Sequence, residues 1–343
     1  MRHFLTTLLA LTALAVPATA ATVFDNGTGN FLIGPNDAVI VTNATTLVTV
    51  NGSSAIGGGD ETGIRLNQNS RATIVNGTTV QGGTNRNGIS TIDSTLQVFG
   101  GDITGGLAGS GLFDTAFPGI GATSSQITID GGIITGGRSG TQRFDQAAAG
   151  LAARLSDLIV RGGTINGGDG ADTTSSADRR GGTAVSLEGG SFDISGGVFN
   201  LGTSINVSAG SRNSLMRISR ASGSISGGTF NGDADTRLLT LTGGFDPSDP
   251  FEIIDISGGT FATGGDWEIG GNVVVNVIGT DLDITSNNLT GFLADGSPLD
   301  VDLQLFGGGT ITIPEPTSLA LLALGGLLVS RRGRRANSNG VDR

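Results

Sequence analysis

Several residue types on which enzymes and metalloproteins depend are missing from this chain of 343 residues. Cysteine and tyrosine are absent, the single histidine is His3, and all 19 basic residues are arginine. Without cysteine the chain forms neither disulfides nor thiolate metal sites. Most acid–base and covalent mechanisms at neutral pH use His, Cys, Lys or Tyr, so a pair of carboxylates with separated pKa values is the one efficient route left. We therefore expect no cofactor and no metal site.

Positive charge is also scarce. The chain has 30 acidic residues and a formal net charge of −11, and between residues 22 and 313 the balance of 13 arginines and 28 acids gives −15. This balance disfavours nucleic acid and anionic glycans as partners. It permits cation binding, although a solvated acidic surface is the simpler interpretation.

Glycine is the residue in excess. There are 61 glycines but only 8 prolines, and the hydrophobic content is 37%. No period of three is present, which excludes a collagen-like chain, and the abundance of Ile, Val and Leu argues against disorder. The composition predicts an all-β protein whose short strands are separated by glycine-rich bends.

The N-terminus has the three parts of a secretory signal peptide. A short basic start (MRHF) precedes an apolar run (LTTLLALTALAV) and then Ala18-Thr19-Ala20. About a dozen apolar residues cannot span roughly 30 Å of hydrocarbon, so a membrane-spanning helix is disfavoured. We predict a signal peptide over residues 1–20, with cleavage after Ala20 and the small residue Ala18 two positions before it.

The C-terminus has a second apolar segment, over residues 317–330. As a helix its 14 residues would be roughly 21 Å long, which is marginal for a permanent membrane span. The residues that flank this segment are Pro314, Glu315 and Pro316 before it and Arg331, Arg332, Arg334 and Arg335 after it. Arginines that follow such a segment stay cytoplasmic, so the pattern predicts transient membrane insertion with the body of the protein outside.

This order of Pro-Glu-Pro, short Leu/Ala/Gly-rich helix and arginine cluster resembles the PEP-CTERM sorting signal of exported bacterial proteins. The resemblance covers residues 314–335 and departs from the usual pattern in the polar tail, 336–343. It implies that an exosortase-type membrane protease processes the tail and that the protein is sorted to the cell surface or the extracellular space. The resemblance implies no activity for the body.

The body consists of one repeated unit. Two apolar positions recur with separations of 31, 31, 34, 31 and 31 residues. The first position holds Val98, Ile129, Val160, Ile194, Ile225 and Ile256, and the second holds Ile103, Ile134, Ile165, Phe199, Phe230 and Phe261. Within each unit apolar residues alternate with polar ones, which indicates strands, and Gly-Gly pairs mark bends.

These features predict a parallel β-helix, or solenoid, of about 31 residues per coil over residues 21–272. An antiparallel β-sandwich is the alternative, but a sandwich does not require a constant repeat. The period breaks over residues 273–313, where Asp295-Gly296 predicts a hairpin turn. We expect this region to form antiparallel strands that cap the C-terminal end of the solenoid, because an open coil leaves strand edges bare.

The acidic residues offer only general candidates for catalysis. A glycoside hydrolase needs two carboxylates at a defined separation. The candidate pairs are Asp130 with Asp157, Glu188 with Asp193, and Glu252 with Asp255. A lyase would need a base beside bound calcium, and Arg161 and Arg217 are the remaining candidates, without a supporting motif. Positions in turns and in polar ladders between coils are the favoured explanation for these acids.

Two further features of the sequence are candidate ligand sites. Residues 167–172 (GGDGAD) fit the start of a calcium-binding nonapeptide, but such sites need tandem copies and this chain has one. Trp267 is the one strong platform for stacking a sugar ring.

We expect an exported structural or adhesive β-solenoid protein, such as a component of a biofilm matrix, and not an enzyme. Extracellular polysaccharide is a candidate partner beside the processing protease. The alternatives are a polysaccharide lyase or glycoside hydrolase on a β-helix scaffold and an autotransporter-like passenger.

Overall fold

The computed structural model of the chain describes residues 61–109, 116–140, 147–170, 181–204, 214–232, 236–246 and 248–314, together with five short strands between 22 and 56. These residues contain strands and connecting bends but no helix, and none of their segments is a helix capable of crossing a membrane. The predicted signal peptide, the apolar segment 317–330 and the arginines that follow it lie outside the described residues.

The described part of the chain contains 28 strands. In chain order they are β1 Thr22–Asp25, β2 Thr28–Asn30, β3 Val39–Thr42, β4 Leu47–Val50, β5 Ser54–Ile56, β6 Ile64–Asn67, β7 Arg71–Ile74, β8 Thr79–Gln81, β9 Ile89–Ile92, β10 Thr95–Val98, β11 Asp102–Thr104, β12 Ile120–Thr123, β13 Gln126–Ile129, β14 Ile133–Thr135, β15 Leu151–Val160, β16 Thr164–Asn166, β17 Val185–Ile194, β18 Val198–Asn200, β19 Ser214–Ser219, β20 Ser222–Asn231, β21 Arg237–Thr242, β22 Glu252–Phe261, β23 Asp266–Gly270, β24 Val273–Val277, β25 Gly279–Thr285, β26 Asn288–Leu293, β27 Pro298–Phe306 and β28 Thr310–Thr312.

The strands pair in parallel, each with the equivalent strand of the next repeat, and so form three columns. The first column runs from β1 through β3, β6, β9, β12, β15, β17, β19, β21 and β23 to β27. The second runs from β2 through β4, β7, β10, β13, β15, β17, β20, β22 and β24 to β28. The third runs from β5 through β8, β11, β14, β16, β18 and β20 to β22. This large, mostly parallel sheet is consistent with a β-helix-like fold.

The sequence repeat predicts the register of this stack, and the prediction is confirmed. Ile129 lies opposite Val98 and Val160, and Ile134 lies opposite Ile103 and Ile165. The separation of 34 residues between Val160 and Ile194 is accommodated without a change of register. The additional residues of that repeat are therefore placed outside the paired strands.

The core is formed by the alternate residues of all three columns that face inward. In the third column the phenylalanines stack on one another, with ring centroids 4.9 Å apart for Phe199 and Phe230 and 4.5 Å apart for Phe230 and Phe261. Trp267 meets the edge of Phe261 at 5.1 Å and closes this stack from the first column. Each coil thus buries its apolar side chains against its neighbours, as stacked repeats must.

One series of Gly-Gly pairs occurs where the chain bends from the second column to the third. In the pair Gly131-Gly132, a Cβ on the first residue would lie 2.5 Å from the carbonyl oxygen of Phe99 in the preceding coil. The second residue has φ +88°, in the left-handed region that favours glycine. The first glycine therefore permits close stacking and the second permits the bend, which explains much of the glycine excess.

The C-terminal region differs from the prediction in one respect. Antiparallel pairing, expected over residues 273–313, is confined to β25 with β26 and β26 with β27, whereas β24 continues the parallel second column with Val275 opposite Ile254. Only Gly271 and Asn272 join β23 to β24, whereas residues 243–251 join β21 to β22. The shorter connection reduces the separation to 21 residues (275 minus 254), so a comparison at a fixed period misses this coil.

The hairpin turn predicted at Asp295-Gly296 is confirmed. It joins the antiparallel strands β26 and β27, and Gly296 has φ +86°. The Asp295 carboxylate accepts hydrogen bonds from the backbone N–H groups of Gly259 at 2.8 Å and Ser297 at 2.9 Å. Burial acts to raise the pKa of Asp295, but these hydrogen bonds outweigh it and hold the pKa below its usual value. The turn is thereby attached to the last bend of the third column.

Candidate functional site

The described part of the chain ends where the strand stack ends. Strand β28 pairs with β24, and the side chains of Ile311 and Ile313 pack against the core. The hydroxyl group of Thr312 donates a hydrogen bond to Oδ1 of Asn276. Pro314 follows two residues after β28, so the Pro-Glu-Pro sequence begins directly on the last coil. The remaining predicted sorting residues, Glu315, Pro316 and the four arginines, lie outside the described residues, as do Ala18 and Ala20.

The first candidate acid pair is not brought together. Asp157 lies opposite Gln126, four residues before Asp130 along the neighbouring strand. Four residues of extended chain separate the two carboxyl groups by roughly 13 Å, which exceeds the roughly 5–9.5 Å that glycosidases use. Asp130 instead pairs with Arg161 at 3.2 Å. Asp157 accepts a hydrogen bond from Ser191 Oγ at 2.7 Å.

The second candidate pair is split between two columns. Glu188 lies in the first-column part of β17 and accepts a hydrogen bond from Arg220 Nη2 at 2.7 Å. Asp193 lies in the second-column part, after a bend at Gly189-Gly190, and accepts a hydrogen bond from Ser224 Oγ at 2.9 Å. Each carboxylate is therefore part of a polar ladder between adjacent coils.

The third candidate pair occupies opposite faces of one strand. Glu252 and Asp255 are three residues apart in β22, so their side chains point to different sides. Asp255 faces outward and accepts a hydrogen bond from Asn276 Nδ2 at 2.7 Å. Glu252 faces the interior, where burial raises its pKa, and the negative charge of Asp249 raises the pKa further. Glu252 is thus a perturbed acid, but its predicted partner is not beside it.

Asp249 is the neighbour of Glu252 that sequence reasoning missed. It is exposed on the connection before β22, which approaches the turn at Gly243 and Gly244. The spacing of residues in the sequence does not predict that Asp249 lies near Glu252, because this proximity arises from the path of the loop. Oε2 of Glu252 is buried and has no hydrogen-bond partner in the described structure. Since this oxygen is shielded from solvent, it is poorly placed to reach a substrate.

The structure also shows where the two candidate ligand sites lie. Trp267 is 0% exposed and lies in the core, so it is unavailable for stacking a sugar, and the prediction of a platform there is wrong. The reason is that its position in β23 faces inward.

In the calcium-like fragment at residues 167–172, Asp169 Oδ1 accepts a hydrogen bond from the backbone N–H group of Thr203 at 2.8 Å. Residues 171 and 172 lie outside the described part of the chain. The described residues contain no cluster of three or more His, Cys or acidic side chains suited to a metal ion.

An elongated concave surface lies on the outward face of the first column, and we call it the column groove. It comprises two cavities of about 310 and 590 Å³ that both have Ala152 and Ser186 in their walls. Its floor begins with small residues at one register position in four successive coils, namely Ser90, Gly121, Ala152 and Ser186. Farther along, the same position holds Arg217, Thr240 and Glu268.

Sequence analysis missed the column groove, although the signal was present. The segments GISTID, GIGATS, GLAARL and AVSL each place a small residue between two inward-facing residues, all of them apolar except Thr91. Small outward residues leave the backbone of a sheet accessible, and the larger neighbours then form walls. Arg217, considered above as a base for a lyase, lies in this groove. Arg161 does not, since it pairs with Asp130 on the bend after the second column.

Comparison with known proteins assigns the C-terminal segment. A family model described as the PEP-CTERM protein-sorting motif matches residues 312–335, a range that includes Pro314, Glu315, Pro316 and the four predicted arginines. No curated protein and no solved structure matches the chain. The match begins at Thr312, the last residue of β28.

Proposed function

From the PEP-CTERM protein-sorting motif that the chain carries, we propose that this protein is an exported structural or adhesive component of the bacterial cell surface or extracellular matrix, with a β-solenoid body. The motif implies sorting to the exterior through exosortase. The observation that carries the proposal is the overlap of the motif with the last strand of the stack, since the match starts at residue 312 and β28 ends there.

The architecture suits a structural role. The first column contains ten successive parallel pairings, which at ~4.8 Å each give a stack about 48 Å long. A stack of this kind is held by contacts between neighbouring coils and presents long, regular outer faces. The sorting motif follows the last coil without an intervening linker in the sequence.

The proposal gives the termini distinct roles. Residues 1–20 direct export and are cleaved after Ala20. Residues 317–330 enter the membrane transiently, while Pro314, Glu315, Pro316 and the arginines at 331, 332, 334 and 335 present the tail to an exosortase-type protease. The mature body is then retained at the surface or released into the matrix.

We propose no catalytic role for the body. The three acid pairs suggested by the sequence are separated by strand geometry or occupy opposite faces, as described above. Apart from Glu252, these acids accept hydrogen bonds from, or form ion pairs with, side chains of adjacent coils, which is how a polar ladder stabilises stacked strands. These observations favour a structural body over a glycoside hydrolase or lyase on the same scaffold.

Localisation in a host that has an exosortase tests this function. The full chain should be labelled by a membrane-impermeant reagent on intact cells or recovered from the matrix. A variant lacking residues 314–335 should lose this surface fraction. The matched control lacks only residues 336–343, which lie beyond the arginine cluster but within the same C-terminal tail, and it should behave as the full chain does. Equal surface labelling of both deletions would refute the proposal.

A further inference from the structure

The column groove combines length with a limited, local positive charge. Its seven floor positions from Ser90 to Glu268 span six inter-strand steps, or about 29 Å at ~4.8 Å per step. The charged residues that line it are three arginines and two glutamates, namely Arg154, Arg217, Arg237, Glu188 and Glu268. The difference of these counts is +1, in a chain whose formal net charge is −11.

Arg217 is the basic residue in this groove whose charge is not used within the fold. Arg237 pairs with Glu268 at 3.0 Å, and Arg154 lies 3.9 Å from Glu188. Arg217 is exposed, and among the described residues it makes no hydrogen bond or ion pair. A guanidinium group presents a planar set of donors that matches a carboxylate in two-pronged fashion. An unused guanidinium on the floor of an elongated groove therefore favours an acidic ligand.

We propose that the column groove binds an extended, mostly neutral polysaccharide that carries a carboxylate group on only some of its sugars, such as a glucuronoxylan, with Arg217 contacting a carboxylate of the ligand. This inference rests on the proposed function, which places the groove outside the cell. The small residues at Gly121, Ala152 and Ser186 let a linear chain lie close to the sheet. The length of the floor matches about six sugar units at roughly 5 Å each, comparable to the ~4.8 Å spacing of strands.

The remaining walls suit sugars better than a more highly charged polymer. Glu188 and Glu268 are acceptors for sugar hydroxyl groups, and the ring of Phe306 is 39% exposed at the far end of the groove. A nucleic acid has one negative charge per nucleotide, and binding it requires many basic contacts. One unpaired arginine cannot neutralise such a chain, and the acidic charge of the rest of the body would repel it. A polymer with isolated carboxylates and many hydroxyl groups fits both signs of charge in the groove.

Binding measurements on the purified exported chain test the proposal. The probes are oligomers of glucuronoxylan and of hyaluronan, in which only some sugars carry a carboxylate, with dextran as the neutral reference, titrated by calorimetry in about 0.15 M salt, at which charges on distant faces are largely screened. The wild-type chain should bind at least one of the acidic oligomers and not dextran. Arg217→Gln should weaken this binding about tenfold, because a charge-assisted contact is lost while a polar side chain is kept.

Two further variants separate the groove from general effects. Ala152→Trp fills the groove at an outward position, leaves every charge in place and should also abolish binding. Arg138→Gln removes an exposed arginine that follows β14 in the third column, away from the groove, and should leave the affinity unchanged. Thr128→Trp, at an outward position of the second column, is the control for adding a bulky residue.

The outcomes decide the matter. Loss of binding in Arg217→Gln and Ala152→Trp, with both controls unaffected, supports the proposal. Three results would overturn it: no binding of either acidic oligomer, equal weakening by Arg138→Gln and Arg217→Gln, or binding of dextran with the same affinity. Surface labelling of the wild-type chain on cells distinguishes this inference from the proposed function, since a wild-type chain that reaches the surface but binds neither acidic oligomer refutes the groove alone.

Discussion

Truncation of Phe230 to alanine should remove the central ring of the third column. The ring is 1% exposed and lies between two others, 4.9 Å from Phe199 and 4.5 Å from Phe261, with interplanar angles of 8° and 6°. A large-to-small change of this kind loses the transfer free energy of the ring and leaves a cavity, and its usual cost is about 3–5 kcal/mol. We expect the upper part of this range, because the backbone hydrogen bonds of the flanking coils hold the neighbouring rings apart and restrict collapse into the cavity.

The single tryptophan provides the assay. Trp267 is buried and meets Phe261 edge-on at 5.1 Å, so its fluorescence reports on the coils next to the substitution. With a urea dependence of about 3 kcal/mol per molar, a loss of about 3–5 kcal/mol lowers the unfolding midpoint by at least about 1 M. In a stack of repeats this local signal is more informative than a global one, because each coil is stabilised mainly by its neighbours.

Three comparisons make the result decisive. Phe251→Ala changes a ring that is 62% exposed, and Phe117→Ala changes a half-buried ring outside the columns, so both should cost much less. Phe230→Ile replaces the ring by the residue type that occupies the same column at Ile165, and it should cost less than half as much as alanine. Equal losses for Phe230→Ala and Phe251→Ala would refute the stacked column as a source of stability.

Three other predictions concern the tail, one buried acid and catalysis. In a host with exosortase, intact-mass analysis of surface material should show a protein without residues 331–335, and a full-length mass would contradict the assigned processing. Because burial raises the folded-state pKa of Glu252 above its unfolded value, the contribution of this side chain to stability should be greatest below the unfolded pKa of about 4.5 and be lost as pH rises through the folded pKa. Glu252→Gln should therefore flatten the dependence of the urea midpoint on pH. If the wild-type protein and the variant show the same slope, the pH dependence does not arise from Glu252. Purified protein should release no reducing or unsaturated ends from pectin, alginate, xylan or sulfated glycans, with or without calcium; release that is abolished by substituting one acid pair would establish an enzyme.

The turn at Asp295 belongs to a hairpin that caps part of the C-terminal end of the stack. The hairpin of β26 and β27 covers the last bend of the third column through the hydrogen bond from Gly259, so that column ends under a cap. The first and second columns end on β27 and β28 instead, and β28 leads into the sorting motif. The capping strands β25 and β26 therefore do not pair with β28, the strand that leads into the sorting motif.

The sequence by itself determined the register of the columns. Parallel stacking places chemically equivalent positions opposite one another, so a recurring Val98, Ile129 and Val160 specifies a pairing without any knowledge of the fold. Alternation of apolar and polar residues identified the strands, and the Gly-Gly pairs identified the bends. The tail was also readable from sequence alone, because a sorting signal is recognised by order and spacing along the chain and not by tertiary contacts.

Only the tertiary structure decided which side chains face each other across the surface. Whether an acid faces the core or the solvent depends on its place in the alternation of a strand and on the length of the preceding connection. The short connection before β24 is an example, because it removes one coil from the regular sequence repeat. Trp267 lies inside for the same reason, and Glu252 meets Asp249 only because a loop folds back toward it. The column groove arises from residues about 31 positions apart in sequence, whose small size matters only once stacking has aligned them.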